Sequence, residues 1–293
     1  MKRNQPKVAV LLAAYNGMEW IKEQIDSIFA QKNVDVKIFI SVDRSTDGTE
    51  LWVANLAKET DRVVLLSYGD RFGGAGANFY RLIRDVDFTG FDYIAFSDQD
   101  DIWLDGKLDR ACSIISSNVC DVYSSDVIAF WSDGRRQLIK KSFPQKKYDH
   151  FFEAAGPGCT YVFNARSAFA LKNFVNKIKN LSERVSLHDW LAYAFCRQKG
   201  FTWFIDDQPL MLYRQHENNQ VGINDGIKAY KKRLNLVKQH WYRNQVKTIS
   251  ELVDPCFSLK INGYFFRMTN SFSFRRRLRD RLALLSMFIL GIY

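Results

Sequence analysis

The sequence contains no uninterrupted apolar run long enough to form a membrane-spanning helix. Hydrophobic residues make up 47% of its 293 residues and aromatic residues 15%. A spanning helix needs about 20 consecutive, mostly apolar residues, and because no such run occurs we predict no spanning helix. The short apolar run at residues 7–15 follows a basic start, and we expect it to be a first strand rather than a signal peptide.

Cysteine is scarce, and its spacing is not that of a metal site. The five cysteines are scattered, their number is odd, and none forms a C-x-x-C pair. This pattern indicates free, buried thiols in a reducing compartment and argues against zinc. The positions are Cys112, Cys120, Cys159, Cys196 and Cys256.

Acidic residues are scarce in the last quarter of the chain. Residues 226–293 contain 14 lysines and arginines but only 3 acidic residues, which gives a net charge of +11. Residues 1–225 are almost neutral, with a net charge of −1. This shift in composition predicts a globular domain over 1–225 followed by a basic extension over 226–293.

The first part of the chain alternates apolar runs with helical patterns. Four apolar runs are predicted strands, at residues 7–15, 36–42, 62–68 and 91–97. Between them apolar residues recur at helical spacing, and helices are predicted from about residues 20, 47, 77 and 104. Strands that are apolar throughout and separated by helices are typical of a parallel sheet covered on both faces.

The second part has a mixed pattern. Asp133-Gly134 lies between two extended runs and is a strong hairpin signal. Further strand segments are predicted at 159–165 and 202–214, around a helix at about 187–199. The predicted fold class is therefore α/β, with a Rossmann-like, mostly parallel central sheet, a smaller mixed or antiparallel part and a C-terminal helical basic appendage.

Ligands of open parallel sheets bind beyond the carboxyl ends of the strands. That rule directs attention to three loops, at residues 15–20, 42–48 and 97–103. In the second loop, Asp43 ends a predicted strand, and Ser45 or Thr46 is placed to cap the next helix. One interpretation is that these residues only form the turn and cap the helix. The other is that Asp43 accepts a hydrogen bond from the base or ribose of a nucleotide.

Three carboxylates occupy four positions of the loop at 97–103. Asp98, Asp100 and Asp101 follow an apolar strand, and like charges this close repel one another. Capping of a helix predicted over 102–117 accounts for one or two of them, because negative charge is favoured at a helix N-terminus. The spacing Asp98-x-Asp100 suits Mg²⁺ or Mn²⁺, which bind hard oxygen ligands together with substrate phosphates. A divalent ion would also remove the repulsion, so the metal interpretation is favoured.

Two loops lack the patterns of known phosphate-binding sites. The segment RFGGAGANF, residues 71–79, is glycine-rich but follows the third strand and lacks the G-x-G-x-x-G fingerprint. The loop after the first strand, AAYNGMEW, lacks the glycines of a nicotinamide-dependent dehydrogenase. It also lacks the basic, glycine-rich loop of a nucleotidyltransferase, which is the alternative enzyme class for such a sheet.

Seven short segments between residues 7 and 222 form a series. They are LLAAYNG (11–17), SVDRSTDGT (41–49), GANF (76–79), FSDQDDIW (96–103) with KL (107–108), GCTYVFN (158–164), HDWLAY (188–193) and YRQHENNQVG (213–222). SDQDDIW, HDW and RQHxxN in this order are specific when taken together. The series resembles the GT-A-fold glycosyltransferases of family 2, and most of all their bacterial rhamnosyltransferase-type members.

The resemblance implies an inverting, metal-dependent transfer of a sugar from a nucleotide-diphosphate donor. The acceptor would be a hydroxyl of a growing, lipid-linked bacterial surface glycan such as an O-antigen. dTDP-L-rhamnose is the favoured donor, with UDP-glucose and UDP-galactose as alternatives, and Mn²⁺ or Mg²⁺ is the implied cofactor. Residues 1–225 would then be the catalytic domain, with a nucleotide-binding half at 1–118 and an acceptor-binding half at 119–225.

The resemblance also implies roles for single residues. Asp43 matches the acid that contacts the nucleobase, Asp98 the acid that contacts the ribose, and Asp100 a metal ligand. Asp189 matches the general base, and His216 the late histidine that completes the metal site. The remaining donor-side residues are Ala14, Tyr15, Asn78 and Gln99. Residues expected on the acceptor side or behind the site are Asp101, Trp103, Gly158, His188, Trp190 and Arg214.

Two features of the sequence leave alternatives open. The family usually has two acids and a glycine where this chain has Val42, Asp43 and Arg44, and this departure concerns base recognition. By spacing alone, Ser186-x-x-Asp189 ahead of an apolar run indicates a helix capping box rather than a base. One carboxylate can serve both roles if the helix start directs it into the site.

The basic extension ends in an arginine-rich segment followed by an apolar one. The arginines are Arg275, Arg276, Arg277, Arg279 and Arg281. Such a stretch suits the surface of an anionic membrane, and we expect a cytoplasmic protein that is peripheral on the inner face of the cell membrane. The alternative is a packing helix with a solvated basic end.

A non-catalytic protein that binds a membrane or nucleic acid through this extension is the competing functional class. Such a protein would have no function for the segments DQDD and HDW. No recognisable nucleic-acid-binding motif occurs in the sequence. The expected partners are therefore a nucleotide-sugar donor and a glycan or lipid-linked oligosaccharide acceptor, with an anionic membrane surface at residues 271–293 and no nucleic acid.

Overall fold

The structure, a computed structural model, describes residues 5–178, 180–216 and 240–293. The strands of these residues are, in chain order, β1 (Lys7–Ala14), β2 (Asp35–Val42), β3 (Val63–Leu65), β4 (Tyr93–Ser97), β5 (Ile102–Trp103), β6 (Val122–Ser125), β7 (Val127–Phe130), β8 (Arg136–Ile139), β9 (Val162–Asn164), β10 (Trp203–Asp206) and β11 (Met211–Arg214). They form a seven-stranded sheet in the order β10-β6-β9-β4-β1-β2-β3 and a four-stranded sheet in the order β5-β11-β7-β8.

The central part of the large sheet is parallel. β1 pairs in parallel with β2 on one side and with β4 on the other, and β3 continues the pattern beyond β2. Residues 8–14 of β1 are all buried, because this apolar strand is covered on both faces. β9 runs antiparallel to both β4 and β6. The predicted α/β class, mostly parallel with a smaller antiparallel part, is therefore confirmed.

Eleven α-helices occur in the described ranges. They are α1 (Ile21–Phe29), α2 (Thr49–Glu59), α3 (Ala75–Asp85), α4 (Lys107–Ser116), α5 (Ala165–Asn176), α6 (Leu181–Arg184), α7 (His188–Gln198), α8 (Trp241–Val253), α9 (Pro255–Ile261), α10 (Tyr264–Asn270) and α11 (Leu278–Ile289). The helices predicted from the apolar spacing are confirmed, with starts shifted by a few residues. Neither Ser45 nor Thr46 caps α2: its N-cap is Gly48, which has a φ of 87°.

The second sheet corrects two expectations. The segment at 202–214 contains two strands that belong to different sheets, since β10 pairs with β6 and β11 pairs with β7. The helix predicted over 102–117 begins only at Lys107, because Ile102 and Trp103 form a short strand against β11. The three carboxylates of the loop are therefore not helix caps. The predicted hairpin is confirmed as β7–β8, and Gly134 in its loop has a φ of 85°.

The C-terminal helices pack onto the body that carries the large sheet. Phe257 of α9 stacks on Phe151 with ring centroids 4.0 Å apart, and Phe274 stacks on Phe152 at 4.3 Å. Phe274 and Phe288 belong to the same hydrophobic core cluster as Phe96 of β4. The domain boundary predicted near residue 225 lies outside the described residues.

The five cysteines are all free. Four are buried, as expected, but Cys256 is exposed, so burial was wrongly predicted for that position. Among the helices that the structure describes, none is long and apolar enough to cross a bilayer.

Candidate active site

A cleft of about 1110 Å³ opens at the carboxyl ends of β1, β2 and β4. All three loops that the sheet rule singled out contribute to its wall. The predicted site residues that line it are Ala14, Tyr15, Asp43, Asn78, Asp98, Gln99, Asp100, Gly158, His188, Asp189, Trp190 and His216. Asp101, Trp103 and Arg214 are not part of the lining.

Asp100 and His216 meet in the cleft although 116 residues separate them. His216 Nε2 lies 2.8 Å from Asp100 Oδ2, and the His216 ring stacks on Trp20 with centroids 4.2 Å apart. The two strands β4 and β11 deliver these side chains from different sheets. A carboxylate oxygen and an imidazole nitrogen this close, both open to the cleft, fit a divalent cation together with substrate phosphates.

Negative charge is concentrated around this pair. Burial raises the pKa of Asp98 to about 7, and the charges of Asp100 and Asp189 add to the shift. Burial also raises the pKa of Asp101 well above its usual range, with further contributions from Asp100 and Asp98. A bound cation would lower these pKa values and relieve the repulsion, so the electrostatics of the loop agree with a metal site.

A second group of ligand atoms lies deeper in the protein. Asp98, Asp101 and Cys159 each place one such atom within 4.8 Å of the others. Burial together with the neighbouring carboxylates raises the pKa of the Cys159 thiol well above its usual range. A metal-binding cysteine must be a thiolate, and Asp101 does not reach the cleft. Asp100 and His216 therefore fit a substrate-bound metal better than this group.

Asp101 and Arg214 hold the acidic loop in place from outside the cleft. Asp101 Oδ1 accepts a hydrogen bond from the Arg214 backbone N–H at 3.1 Å, and Arg214 Nε donates to the Asp100 carbonyl at 2.7 Å. Arg214 also pairs with Glu23 of α1. Trp103 is buried, and Lys107 Nζ lies 3.8 Å from the centroid of its ring. These side chains support the loop and do not reach the space where an acceptor would bind.

The donor-side residues connect the ends of β1, β2 and the glycine-rich loop. Asp43 accepts hydrogen bonds from the backbone N–H groups of Phe72 at 2.8 Å and Gly73 at 2.9 Å. Asn78 donates from its amide to the carbonyls of Ala14 at 3.2 Å and Ser41 at 2.9 Å. The loop at 71–76 thus forms one wall of the cleft, and Asp43 holds it there.

Gln99 fixes the first loop to the acidic one. Its side chain accepts from the Tyr15 N–H and donates to the Tyr15 carbonyl, both at 2.8 Å. A Cβ at Gly17 would lie 2.2 Å from Gln99 Oε1, so a larger residue there would displace the Gln99 amide from Tyr15. Tyr15 itself is exposed and lines the cleft.

Asp189 lies at the start of α7, where the predicted capping box does not form. The N-cap of α7 is Leu187, and within the described residues no side chain caps it. The carboxylate of Asp189 instead accepts from the Trp190 N–H at 2.8 Å and lines the cleft. Burial raises its pKa to about 6, while hydrogen bonds and the Lys141 ammonium act in the opposite direction. A base with a pKa close to neutral is well matched to proton transfer.

Gly158 allows a very close approach between two segments of the cleft wall. A Cβ at this position would lie 2.7 Å from His188 Nε2 and 3.0 Å from Asp189 Cβ. His188 stacks on Phe79 with centroids 3.9 Å apart, and burial lowers its pKa to about 3. His188 is therefore a neutral residue that shapes the cleft beside Asp189. Trp190 donates from its indole to the His150 carbonyl at 3.1 Å, which fixes the helix start.

Several residues of the cleft were not predicted. Trp20 reads as the first apolar position of a helix, and Lys141 belongs to a basic segment after the hairpin. Arg277 and Arg279 were assigned to the extension only. The remaining unpredicted residues with charged side chains in the lining are Arg71, Glu153 and Arg275. Charge alone was their signal, and contacts between residues over 100 positions apart cannot be deduced from it.

Comparisons with known proteins identify the family of the chain. The family model for glycosyl transferase family 2 matches residues 9–176. The dTDP-rhamnosyl transferase RfbG of Shigella flexneri is 45% identical over 293 residues, covering 96% of this chain and 100% of that protein. The putative teichuronic acid biosynthesis glycosyltransferase TuaG of Bacillus subtilis is 26% identical over 254 residues, covering 81% of this chain and 93% of that protein.

Two solved structures share the fold. S. aureus TarS 1-349 in complex with UDP superposes with a TM-score of 0.59 at 16% identity, covering 97% of this chain and 80% of that chain. The mannosyltransferase PcManGT from Pyrobaculum calidifontis, in complex with GDP-Man and Mn²⁺, gives a TM-score of 0.56 at 14% identity. It covers 99% of this chain and 76% of that one.

The chain belongs to glycosyl transferase family 2 and is a glycosyltransferase. Within that family it is a homologue of the Shigella flexneri dTDP-rhamnosyl transferase over nearly its whole length.

Proposed function

We propose that the protein transfers L-rhamnose from dTDP-L-rhamnose to a hydroxyl of a bacterial surface glycan, with inversion at the anomeric carbon. The observation that carries this proposal is a single cleft that is lined both by Asp189 and by the Asp100–His216 pair. The choice of donor rests on the relative with 45% identity, whose name is dTDP-rhamnosyl transferase.

Asp189 is proposed as the general base. A sugar hydroxyl has a high pKa, so its oxygen attacks the anomeric carbon only while a carboxylate takes its proton. The Asp189 carboxylate accepts that proton as the new carbon–oxygen bond forms and the bond to the nucleoside diphosphate breaks. Because one base works on one side of the sugar and the leaving group departs on the other, the displacement inverts the anomeric centre.

Asp100 and His216 are proposed to hold Mn²⁺ or Mg²⁺ with the donor diphosphate. When bound, such an ion stabilises the negative charge that the leaving nucleoside diphosphate acquires. Asp98 lies beside this pair and is proposed to contact the ribose, and Asp43, whose carboxylate anchors the glycine-rich loop, is proposed to contact the nucleobase. Gln99 and Asn78 keep the loop ends that surround the donor in position.

The acceptor is proposed to be lipid-linked, and the protein to act at the cytoplasmic face of the membrane. The supporting feature is an exposed apolar stripe on α11. Leu278, Leu282 and Ile289 are 56%, 48% and 59% exposed, and with Leu285 they follow the helical spacing i, i+4, i+7, i+11. Arg279 and Arg281 flank the stripe, an arrangement suited to the interface of an anionic bilayer.

The test is thermal unfolding with dTDP, UDP and GDP, each in the presence of Mn²⁺ and in EDTA. A ligand at 100 times its Kd stabilises the folded state by about 2.7 kcal/mol, so we expect a rise of several degrees with dTDP and Mn²⁺. EDTA should remove the rise, and Asp100→Asn should remove the metal-dependent part of it. A shift with UDP or GDP instead of dTDP would disprove the donor assignment, and no shift with any nucleotide would contradict the proposal as a whole.

A further inference from the structure

The C-terminal segment contributes a basic wall to the cleft. Arg275, Arg277 and Arg279 line it, together with Lys141 from the segment after β8. The acidic residues Asp98 and Asp100, which also line the cleft, lie more than 170 positions earlier in the chain. The lining therefore has an acidic part from the loop after β4, here called the acidic end, and a basic part from residues 275–279 and Lys141, here called the basic end.

The backbone of this wall is anchored to the body of the protein. Between them, Arg276 is buried at 3% exposure and pairs with Asp149 at 3.4 Å and Glu153 at 3.5 Å. Its backbone N–H also donates to Glu153 at 2.5 Å. Arg275 donates to the Phe152 carbonyl at 2.7 Å. A segment anchored in this way keeps Arg277 and Arg279 beside the cleft, where both line it.

The basic end lies beside the proposed base. Lys141 is within electrostatic reach of Asp189, Arg275, Arg276 and Glu153, and burial with the two arginines lowers its pKa. A Cβ at Gly156 would lie 3.5 Å from Lys141 Cγ, and Gly158 adjoins Asp189, so the same glycine-rich turn connects the two. Asp189 thus stands between the acidic end and the basic end.

At the basic end of the cleft, positively charged side chains outnumber the carboxylates that pair with them. Glu153 is shared by Arg275 at 3.9 Å and Arg276. Arg277 lies 5.4 Å from the centroid of the Phe143 ring, and among the described residues no carboxylate pairs with it. Arg279 contacts only the neighbouring Asp280 within the described chain, at 3.5 Å, and its side chain is 77% exposed. Lys141, Arg277 and Arg279 are left facing the cleft.

We infer that Arg277 and Arg279, with Lys141, form an anion subsite for the phosphate groups of the acceptor. This rests on the proposed function, because the donor diphosphate is assigned to the acidic end with its metal. The acceptor class is then a polyprenyl-type diphosphate that carries a short glycan, since phosphate and attacking hydroxyl must fit one cleft. Guanidinium groups suit this task because their N–H donors match phosphate oxygens in pairs.

The experiment is calorimetric titration of geranyl diphosphate in EDTA, where no metal supports diphosphate binding at the acidic end. The full chain is compared with Arg277→Gln/Arg279→Gln and with Arg136→Gln, an exposed arginine outside the cleft. We expect the double variant to bind geranyl diphosphate roughly ten-fold or more weakly, because two charge-assisted contacts are lost. Arg136→Gln should bind geranyl diphosphate like the wild type. Geraniol, which lacks phosphate, should bind to neither the wild type nor the double variant.

Two further measurements test whether the arginines bind the phosphates of the donor or of a lipid headgroup instead of those of the acceptor. The rise in unfolding temperature with dTDP and Mn²⁺ should be unchanged in the double variant, and its loss would show that the arginines serve the donor instead. Sedimentation with phosphatidylglycerol vesicles tests a lipid headgroup. If the double variant loses vesicle binding but keeps wild-type affinity for geranyl diphosphate, the inference is overturned. Failure of dTDP to bind the wild type would refute the donor assignment without affecting this titration.

Discussion

Asp189 combines a raised pKa with access to the cleft. The surrounding protein replaces water around its carboxylate, which disfavours the charged form and moves the pKa to about 6. Lys141 limits the shift because its positive charge favours the carboxylate. The residue is thus a stronger base than an exposed aspartate and is still deprotonated at neutral pH.

The activity of the wild-type enzyme should rise with pH across the pKa of Asp189. Below pH 6 the carboxyl is protonated and cannot accept the hydroxyl proton, so kcat/KM at pH 5 should be about one tenth of its plateau at pH 7.5. The measurement is a pH profile at saturating metal. A profile that is flat between pH 5 and pH 7.5 would contradict the assignment of the base.

The matched variant is Asp189→Asn, which keeps an oxygen for the Trp190 N–H. It should reduce kcat by about 10²- to 10⁴-fold, the range typical of general-base removal, and leave the dTDP–Mn²⁺ thermal shift intact. Its stability should exceed that of the wild type at pH 8. The raised pKa means that the folded state binds the proton more tightly than the unfolded state, so the destabilising effect of Asp189 grows between about pH 4 and pH 6 and is fully present above pH 6.

Gly158 offers a test of the close packing around the base. In Gly158→Ala the new methyl group would lie 2.7 Å from His188 Nε2 and 3.0 Å from Asp189 Cβ, so the His188 ring must shift and the proposed base must give by a few tenths of an ångström. We expect kcat to fall at least about ten-fold, since small displacements of a catalytic group are costly. Gly156→Ala is the control, because its Cβ would meet nothing closer than 3.5 Å. Equal kcat values for the two variants would show that the contact at Gly158 is irrelevant to catalysis.

The sequence motifs predicted the proposed catalytic residues of the cleft better than the residues around them. Asp100, His216 and Asp189 occur in motifs whose order is specific, and all three line one cleft. Trp20 was predicted only as an apolar position at helical spacing, yet its ring stacks on His216. Periodicity reports which side of an element is apolar, and it cannot distinguish packing against the core from packing against a ligand site.

The secondary-structure elements also differ in how well the sequence predicted them. The parallel strands were predictable because each is a continuous apolar run, whereas β5 has only two residues and takes its strand form from pairing with β11. The antiparallel position of β9 between β4 and β6 also depends on tertiary pairing. Strand identity is local information, but strand order and direction depend on contacts that are distant in sequence.

The segment between the last two helices depends on one buried ion cluster. Arg276 pairs with Asp149, which is itself fully buried and also contacts Arg197 at 3.3 Å. Arg276→Met should lower the free energy of unfolding by about 3 kcal/mol, because removal of one partner leaves buried carboxylates short of positive charge. Urea denaturation measures the change.

Arg279→Met is the control for that measurement, because its side chain is 77% exposed and its contact with Asp280 is a surface pair. Such pairs contribute about 0–1 kcal/mol. If Arg276→Met unfolds at the same urea concentration as Arg279→Met, the cluster does not anchor the segment.

At the level of the whole molecule, the apolar stripe of α11 should govern membrane binding. Replacing Leu278, Leu282 and Ile289 by Gln removes apolar area that would enter the bilayer interface, and we expect at least about ten-fold weaker binding to anionic vesicles. Leu51→Gln is the matched control, an exposed leucine on α2 that is 67% exposed. Vesicle sedimentation at low and high salt gives the readout, and triple-variant binding equal to that of Leu51→Gln would refute the membrane proposal.

The packing of the last helix into the main core has a consequence for how the chain matures during synthesis. Phe288 and Tyr293 belong to the same core as β4, and the basic wall of the cleft begins only at Arg275. Ribosomes add about 5–20 residues per second, so residues up to His216, which include every proposed donor contact, are synthesised several seconds before that wall. Donor binding can thus be acquired during synthesis before the basic end of the cleft exists.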